Sequence, residues 1–329
     1  MSELKVDFFY GIYPSSVHGN LFLIDPLLPP KKCPLHCATC PLITNLEPRE
    51  TKKVDLDAPI MNIMNSIKKH LPFETKIDGF LLWGYGDPLL LGNIYELLIA
   101  LRALLIEHGL QVKIYVHSSL IPLVESCSQE NSKCTIMKSV VEQVDGFITP
   151  FLWYSVDKYM LGWPQETSLT HYAGAIRRVF ENNYGKLNIE LHAFKLHEHL
   201  YPELHDLEEV VIVLKHMRSK SIIVKPIDRP TVNQYLKPTP ESHVARIVDY
   251  LENEGFKTRV EKFNPPQNIP WKEPSNILYN YTLRIPLKYS EIRSIFSEIG
   301  LIALDNLVTK KYITKTTWAG EVFFVGNLR

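Results

Sequence analysis

Long apolar segments and an excess of charge of one sign are both missing from this sequence of 329 residues. No apolar run approaches the roughly 20 residues that cross a bilayer, so we do not expect a membrane protein. The 36 basic residues are balanced by 36 acidic residues, and no overall attraction to nucleic acid follows. The first residues carry charges of both signs, so we expect no secretory signal and a cytoplasmic location.

Cysteine is scarce, but three of the five cysteines lie within eight positions. Cys33, Cys37 and Cys40 form a C-x3-C-x2-C pattern. Three thiolates from one short loop suit three corners of a 4Fe-4S cluster and leave one iron open to another ligand. The alternative is a structural zinc ion that Cys37 and Cys40 bind together with His36 or a distant side chain.

The other two cysteines, Cys127 and Cys134, have six residues between them in a polar segment. This spacing does not complete a common zinc site, which weighs against the zinc alternative. We expect ordinary loop cysteines here. An auxiliary cluster and a disulfide are the other interpretations.

Short apolar runs alternate with longer segments of helical period along the first three quarters of the chain. The strand predicted at 79–84 precedes a helix predicted at 92–108, in which one stripe consists of Ile94, Leu97, Leu98, Leu101, Leu104 and Leu105. Repetition of this unit predicts an α/β fold, in which helices cover a parallel sheet, and functional residues at the carboxyl ends of the strands. The further predictions are strands at 113–117, 144–149, 187–193 and 221–225, and helices at 169–182, 208–218 and 243–253.

Four stretches, over roughly residues 8 to 260, together resemble the radical S-adenosylmethionine (SAM) family related to the wyosine-forming tRNA enzymes. They are 10–19, the cysteine loop, the Gly-Tyr-Gly-Asp-Pro run at 84–88, and 224–238. The resemblance implies a partial (βα)6 TIM-like barrel over 1–262, with the cysteine loop after its first strand. It also implies that Cys33, Cys37 and Cys40 bind a 4Fe-4S cluster and that SAM binds its open iron.

The activity that this resemblance implies is reductive cleavage of SAM to a 5′-deoxyadenosyl radical, which takes hydrogen from a substrate. A reductant such as ferredoxin or flavodoxin is then a partner. In the family, a glycine-rich loop and an acidic side chain hold the amino group of SAM, and glycine allows the main chain to approach closely. The cofactor-binding residues implied here are Gly84, Gly86, Asp87, Pro88 and Ser119.

Several positions depart from the family pattern. Thr39 replaces an aromatic residue that packs on adenine, and Ser16 and Val17 replace two arginines. No cysteine precedes Cys33, so the second cluster of the tRNA-modifying members and wyosine formation are not expected. The chain therefore resembles a single-cluster member, with a substrate, small molecule or RNA, that is not identified. An aromatic mouth or ordinary core packing would account for Phe151, Trp153, Tyr154 and Trp163.

Two further groups are candidates for a role at the barrel mouth. Asp228 and Arg229 follow the sixth predicted strand, where they would orient a polar substrate or close a loop as an ion pair. They are the candidate catalytic residues. A solvated loop is the first interpretation of four nearby histidines, and a substrate-facing His192 or His197 is the alternative; the four are His192, His197, His199 and His205.

The last part of the chain changes character. A proline-rich linker is predicted at 263–274, followed by a winged-helix-like domain at 275–329 that would contact nucleic acid or protein. RNA-base modification by a radical SAM enzyme is thus a second function, and a zinc-stabilised nucleic-acid-binding protein without activity is a third. The elements predicted for this domain are helices at 289–297 and 301–311 and strands at 312–316 and 321–325.

Overall fold

The computed structural model describes residues 4–42, 56–71, 76–128, 131–151, 168–264 and 269–328. The strands are β1 (Phe9–Ser15), β2 (Gly19–Ile24), β3 (Gly79–Leu82), β4 (Lys113–His117), β5 (Gly146–Phe151), β6 (Leu187–Leu196), β7 (His199–Tyr201), β8 (Ser221–Pro226), β9 (Leu236–Lys237), β10 (Lys257–Val260), β11 (Leu287–Lys288), β12 (Ile313–Trp318) and β13 (Glu321–Gly326). The helices are α1 (Ile60–His70), α2 (Ile94–Glu107), α3 (Ile121–Ser126), α4 (Ser132–Gln143), α5 (Leu169–Val179), α6 (Leu204–His216), α7 (Glu241–Asn253), α8 (Pro274–Thr282) and α9 (Tyr289–Thr309).

Seven strands form a parallel sheet in the order β2-β3-β4-β5-β6-β8-β10, and β1 pairs antiparallel with β2 at one edge. The sequence pattern predicted five of these strands, and the family resemblance implied a sixth before the cysteine loop, so the prediction misses β10. Strand β10 reads Lys-Thr-Arg-Val and is only partly buried, and it therefore has no apolar run to reveal it.

The sheet curls until its two edges meet. Ser15 in β1 forms an antiparallel bridge with Phe263, which lies just beyond β10. On either side of this bridge, the Ser16 amide donates to the Lys262 carbonyl (3.1 Å) and the Asn264 amide donates to the Pro14 carbonyl (3.0 Å). The parallel strands therefore form a partial barrel whose edges are joined through β1.

Helices cover the outer face of this barrel. In α2 the predicted stripe is buried, which confirms the periodicity argument; it consists of Ile94, Leu97, Leu98, Leu101, Leu104 and Leu105. Strands β3 and β5 are buried along their whole length, as is usual for a parallel sheet covered on both faces. In the part of the chain that the structure describes, no helix has the length and apolar character needed to cross a membrane.

The C-terminal segment contains α8, α9 and a separate antiparallel sheet in the order β11-β13-β12. Helix α9 is interrupted at Ser297, which has a φ of 57°, so its two halves correspond to the two helices predicted from the sequence. Helix α8 was not predicted, although Pro274 at its start is a residue that favours a first turn.

A buried ion pair joins this segment to the barrel. Arg284 Nε donates to Asp25 Oδ2 at 2.8 Å, and both side chains are fully buried. The guanidinium carbon of Arg284 lies 4.5 Å from the ring centre of Tyr10 and 5.1 Å from that of Tyr85. The Tyr85 hydroxyl in turn donates to the Leu283 carbonyl (3.0 Å). The segment after α8 therefore packs against the loops that follow β2 and β3.

Candidate functional site

A cavity opens at the carboxyl ends of the parallel strands. Together with the open solvent at its mouth, it encloses a space of about 970 Å³. All but one of the site residues expected from the sequence line it; these are Cys33, Cys37, Cys40, Gly84, Gly86, Asp87, Ser119, Asp228 and Arg229. The exception, Pro88, is buried at the start of a short 3₁₀ helix beside the cavity.

The glycine loop after β3 is bound to the residue that precedes the first cysteine of the motif. The Lys32 amide donates to the Tyr85 carbonyl (2.6 Å), and the Asp87 amide donates to the Lys32 carbonyl (2.9 Å). A Cβ atom on Gly86 would lie 2.0 Å from that Lys32 carbonyl oxygen, so only glycine allows this approach. The glycine loop therefore helps to position Cys33.

The segment after β8 holds the other end of the cysteine loop. The Val232 amide donates to the Cys40 carbonyl (2.8 Å), and the Asn233 amide donates to the Ala38 carbonyl (3.2 Å). Backbone hydrogen bonds thus hold the loop from both sides. They leave the thiols of Cys33, Cys37 and Cys40 free of any disulfide and directed at the cavity.

Burial affects the protonation of two of the three thiols. It raises the pKa of Cys33 to about 12 and that of Cys37 well above its ordinary value, so these two thiols keep their protons at neutral pH when no metal is bound. A bound metal takes the place of such protons. Lys31 Nζ lies 3.7 Å from Cys40 Sγ and supplies a positive charge beside the loop.

The geometry of the thiols also bears on the kind of metal group. Among the described residues, no three His, Cys, Asp or Glu side chains converge to hold one metal ion, as a structural zinc site requires. In a four-iron cube each thiolate binds a different iron, and the thiolates need not converge. Three free thiols that line one cavity are the kind of donors by which a protein holds a 4Fe-4S cluster.

Asp87 and Ser119, both expected to bind the cofactor, contact each other. Asp87 Oδ2 accepts hydrogen bonds from the Ser119 amide (2.9 Å) and hydroxyl (2.6 Å), while Oδ1 accepts from the Leu89 amide (3.1 Å). Burial raises the pKa of the Asp87 carboxyl, although the hydrogen bonds from Ser119 oppose that shift. Asp87 therefore ties the loop after β3 to the end of β4 and shapes the cavity wall.

A buried polar network lies deeper in the barrel, centred on Glu190 in β6. Lys225 Nζ donates to both Glu190 oxygens (3.0 and 3.1 Å), and the Nε2 atoms of His117 and His192 lie 3.4 Å from Glu190 Oε2. Burial alone would raise the pKa of Glu190, but Lys225 and the two histidines hold it well below its ordinary value. Glu190 is therefore a carboxylate at neutral pH.

The network reaches the cysteine loop through Thr39. His192 Nδ1 and Thr39 Oγ1 form a hydrogen bond of 2.8 Å. Thr39 lies between Cys37 and Cys40, at the position where the sequence departs from the family's aromatic residue. The hydroxyl that replaces the aromatic ring thus connects the cysteine loop to His192, whose pKa burial lowers.

The sequence analysis did not single out Glu190 and Lys225, nor Tyr13 and Trp83, which also line the cavity or its floor. A signal was present in β6, where Glu190 and His192 alternate with apolar residues. Residues two apart in a strand face the same side, so two polar residues in a buried strand indicate an inward-facing site.

Asp228 and Arg229 line the cavity but are bound to each other. Two guanidinium nitrogens of Arg229 donate to the two Asp228 oxygens, each at 2.8 Å. Arg229 also donates to the Pro286 carbonyl (3.1 Å) and to Glu291 Oε1 (3.3 Å), both in the C-terminal segment. The Asp228 side chain remains 49% exposed. Arg229 therefore has a structural task as well as a place on the cavity wall.

Other predictions have mixed outcomes. Cys127 and Cys134 form a disulfide between the end of α3 and the first turn of α4, so the expectation of ordinary loop cysteines is wrong. Three of the four histidines are exposed, as expected for a solvated loop; they are His197, His199 and His205. The fourth, His192, is buried.

The predicted aromatic mouth is described only in part. Phe151 is fully buried in the core. Trp153, Tyr154 and Trp163 lie outside the described residues, as do residues 265–268 of the predicted linker.

No family model and no curated protein match the chain. Among solved structures, the chain is similar to SuiB from Streptococcus suis bound to the precursor peptide SuiA, with 14% identity, coverage of 83% of this chain and 54% of that chain, and a TM-score of 0.47. For SuiB bound to S-adenosylmethionine the identity is 14%, the coverage 81% and 55%, and the TM-score 0.41. The chain spans about half the length of these proteins. At such TM-scores the likeness carries no argument about family or function.

Proposed function

We propose that the protein is a radical SAM enzyme with a single 4Fe-4S cluster. One observation carries this proposal: the three free thiols of the C-x3-C-x2-C loop and the glycine loop that holds it line one cavity at the carboxyl end of the sheet. When bound, the cluster and SAM supply a one-electron cleavage that yields a 5′-deoxyadenosyl radical.

The chain's own residues divide into two groups around the cavity. Cys33, Cys37 and Cys40 would hold the cluster. The wall formed by the glycine loop and the end of β4 would receive the methionyl part of SAM, because main-chain carbonyls and a buried carboxyl group suit an ammonium group; its members are Gly84, Gly86, Asp87 and Ser119.

The network around Glu190 would face the substrate. Lys225 and His192 reach the cavity and are supported from behind by the Glu190 carboxylate. The orientation of His192 is fixed, because the Thr39 hydroxyl and the Glu190 carboxylate engage its two ring nitrogens. We propose that Lys225, whose ammonium group has a third N–H donor beyond the two that meet Glu190, binds a polar group of the substrate, while Tyr13 and Trp83 surround its apolar part.

We also propose that the C-terminal part of the chain is a winged-helix-like domain that closes one side of the cavity. Its element order, with α9 interrupted at Ser297, is helix, strand, helix, helix, strand, strand. Ile285 lines the cavity, and Arg229 binds Pro286 and Glu291 in this segment. The partition into a barrel (1–262), a linker (263–274) and a final domain (275–329) and a cytoplasmic location are parts of the same proposal.

No described feature favours RNA-base modification as the reaction. The second half of α9 and the residues after it carry Asp305 close to Lys310 and Lys311, which is a mixed face and not a basic one. Salt-dependent binding of tRNA to the purified protein would favour that second function.

Anaerobic reconstitution with iron and sulfide tests the proposed cofactor. We expect a brown protein with about four irons per chain, and a changed electron paramagnetic resonance spectrum when SAM is added to the reduced protein. Cys37→Ala should lose the iron, whereas the matched double variant Cys127→Ala/Cys134→Ala should keep it, because its cysteines lie away from the cavity. A colourless protein that binds one zinc would contradict the proposal.

A further inference from the structure

A second, shallow groove lies on the outer side of the cysteine loop. Residues of the cysteine loop alternate between the cavity and this groove. Leu35, Cys37 and Thr39 line the cavity, whereas His36 and Ala38 line the groove. The turn between β6 and β7, residues 232–237 and Ala319 in the turn between β12 and β13 complete the groove. We call this surface the loop groove.

The cysteine loop itself forms part of the loop groove, through His36 and Ala38. The floor of the groove includes Val232 and Asn233, whose amides donate directly to the carbonyls of Cys40 and Ala38. A protein seated in the groove would therefore lie against the peptide groups that carry Cys37 and Cys40. The groove thus gives a short, hydrogen-bonded route from the outer surface to the site that the cavity encloses.

The side chains of the loop groove suit a partner protein that presents acidic residues around an apolar patch. Lys195 and Lys237 line the groove together with one acidic residue, Glu198, which lies 2.9 Å from the Lys195 ammonium. Tyr235 is 69% exposed beside them. An exposed aromatic side chain among lysines is typical of a protein interface with electrostatic steering, because the ring supplies contact area and the charges guide encounter.

We propose that the loop groove docks an acidic one-electron carrier protein of the flavodoxin or ferredoxin type. This inference rests on the proposed function, which requires a reductant. The carrier loses one electron to the cysteine-held site and is oxidised by one electron, with no atom transferred between the proteins. The lysines of the groove hold the carrier, and the main chain of 232–233 lies between it and the thiols.

Binding of reduced and oxidised flavodoxin, measured by isothermal titration calorimetry, tests the groove without any need for turnover. For Lys195→Glu/Lys237→Glu we expect affinity to fall by about tenfold or more at low salt, and the wild-type affinity to fall with rising ionic strength. The control is Lys215→Glu/Lys220→Glu, which changes the same charges near the amino end of β8 and, like the test pair, includes one lysine in a surface ion pair. It should bind within about twofold of the wild type.

Equal losses in both double variants, or no loss in either, would overturn the docking surface. The proposal would also be overturned if the wild type bound neither reduced nor oxidised flavodoxin at low salt. A second readout compares SAM cleavage driven by flavodoxin with cleavage driven by dithionite. The groove variant should be slowed only with flavodoxin. If dithionite fails to drive cleavage in the wild type, the proposed function fails, and the calorimetry still decides whether the groove binds the carrier.

Discussion

Asp25 and Glu190 are both buried carboxylates of the same barrel, yet their surroundings differ. Asp25 has one cationic partner, Arg284, and both side chains are sealed from solvent. Glu190 shares its oxygens among Lys225, His117 and His192, and these partners line the cavity or its floor. Arg284 thus covers the Asp25 carboxylate completely, whereas the partners of Glu190 extend from its carboxylate to the cavity.

The difference indicates two roles: the Asp25 pair is an anchor, which holds the C-terminal segment on the barrel, and the Glu190 network is part of the candidate functional site. A sealed ion pair cannot exchange partners, so the Asp25 pair serves to hold the C-terminal segment against the barrel. The Glu190 network can be rehydrated or can meet a ligand, because Lys225 is 28% exposed. Loss of the Asp25 pair should therefore affect mainly folding, whereas changes in the Glu190 network should affect mainly the chemistry of the cavity.

The largest expected effect on stability comes from loss of the ion pair between Asp25 and Arg284. Arg284→Met leaves the Asp25 carboxylate buried without a counter-ion, and we expect the free energy of unfolding to fall by about 3–5 kcal/mol. Urea unfolding monitored by circular dichroism measures it. The matched control is Arg293→Met, which removes an exposed pair with Glu298 and should cost less than about 1 kcal/mol. Similar losses in the two variants would show that Asp25 is not an anchor.

A third buried carboxyl group, that of Glu261, forms no hydrogen bond with a cation among the residues that the structure describes, and it should make stability depend on pH. It accepts hydrogen bonds from the Ser15 hydroxyl (2.7 Å) and the Ser16 amide (3.2 Å), and burial raises its pKa from 4.5 to about 7. Because the folded protein holds this proton more tightly than the unfolded chain, the stabilisation is complete below pH 4.5 and is lost as the pH rises through 7. The loss should be about 3 kcal/mol.

Glu261→Gln should remove this dependence. Its free energy of unfolding should change less than that of the wild type between pH 4.5 and 7, and the variant should be the more stable of the two at pH 8. Glu252→Gln, at an exposed position on α7, is the control and should keep the wild-type slope. An unchanged slope in Glu261→Gln would mean that Glu261 titrates normally.

A smaller loss of stability is expected for the network. In Glu190→Gln the amide still accepts a hydrogen bond from Lys225, which can also reach water, so we expect a loss of about 1–2 kcal/mol. The pKa of His192 should fall further, since the Glu190 carboxylate raises it in the wild type. Nuclear magnetic resonance titration of the histidine rings measures this shift. A stability loss as large as that of Arg284→Met would make Glu190 a second anchor.

The smallest effect concerns the link between network and cysteine loop. Thr39→Val keeps the shape of the side chain but removes the hydrogen bond to His192, at a cost of about 1 kcal/mol. Thr39→Ser keeps a hydroxyl and should restore most of the loss. Both variants should bind as much iron as the wild type. A loss in Thr39→Ser with none in Thr39→Val would mean that the methyl group, and not the hydroxyl, matters at this position.

The sequence predicted the contiguous parts of the cavity and missed those assembled from distant residues. The cysteine and glycine loops are short motifs, and the structure brings them to one wall. Continuous apolar strands such as 113–117 were predicted with correct bounds. By contrast, 259 residues separate Asp25 from Arg284, and 153 separate Thr39 from His192. No local sequence pattern could therefore predict either contact.

Formation of 5′-deoxyadenosine from SAM tests the assignment of the cavity most directly. The reconstituted protein, supplied with dithionite and SAM without oxygen, should release this product, and Cys37→Ala should release none. Cys127→Ala/Cys134→Ala should retain the activity, because its cysteines do not line the cavity. A reconstituted wild type that holds about four irons but leaves SAM intact would contradict the assignment.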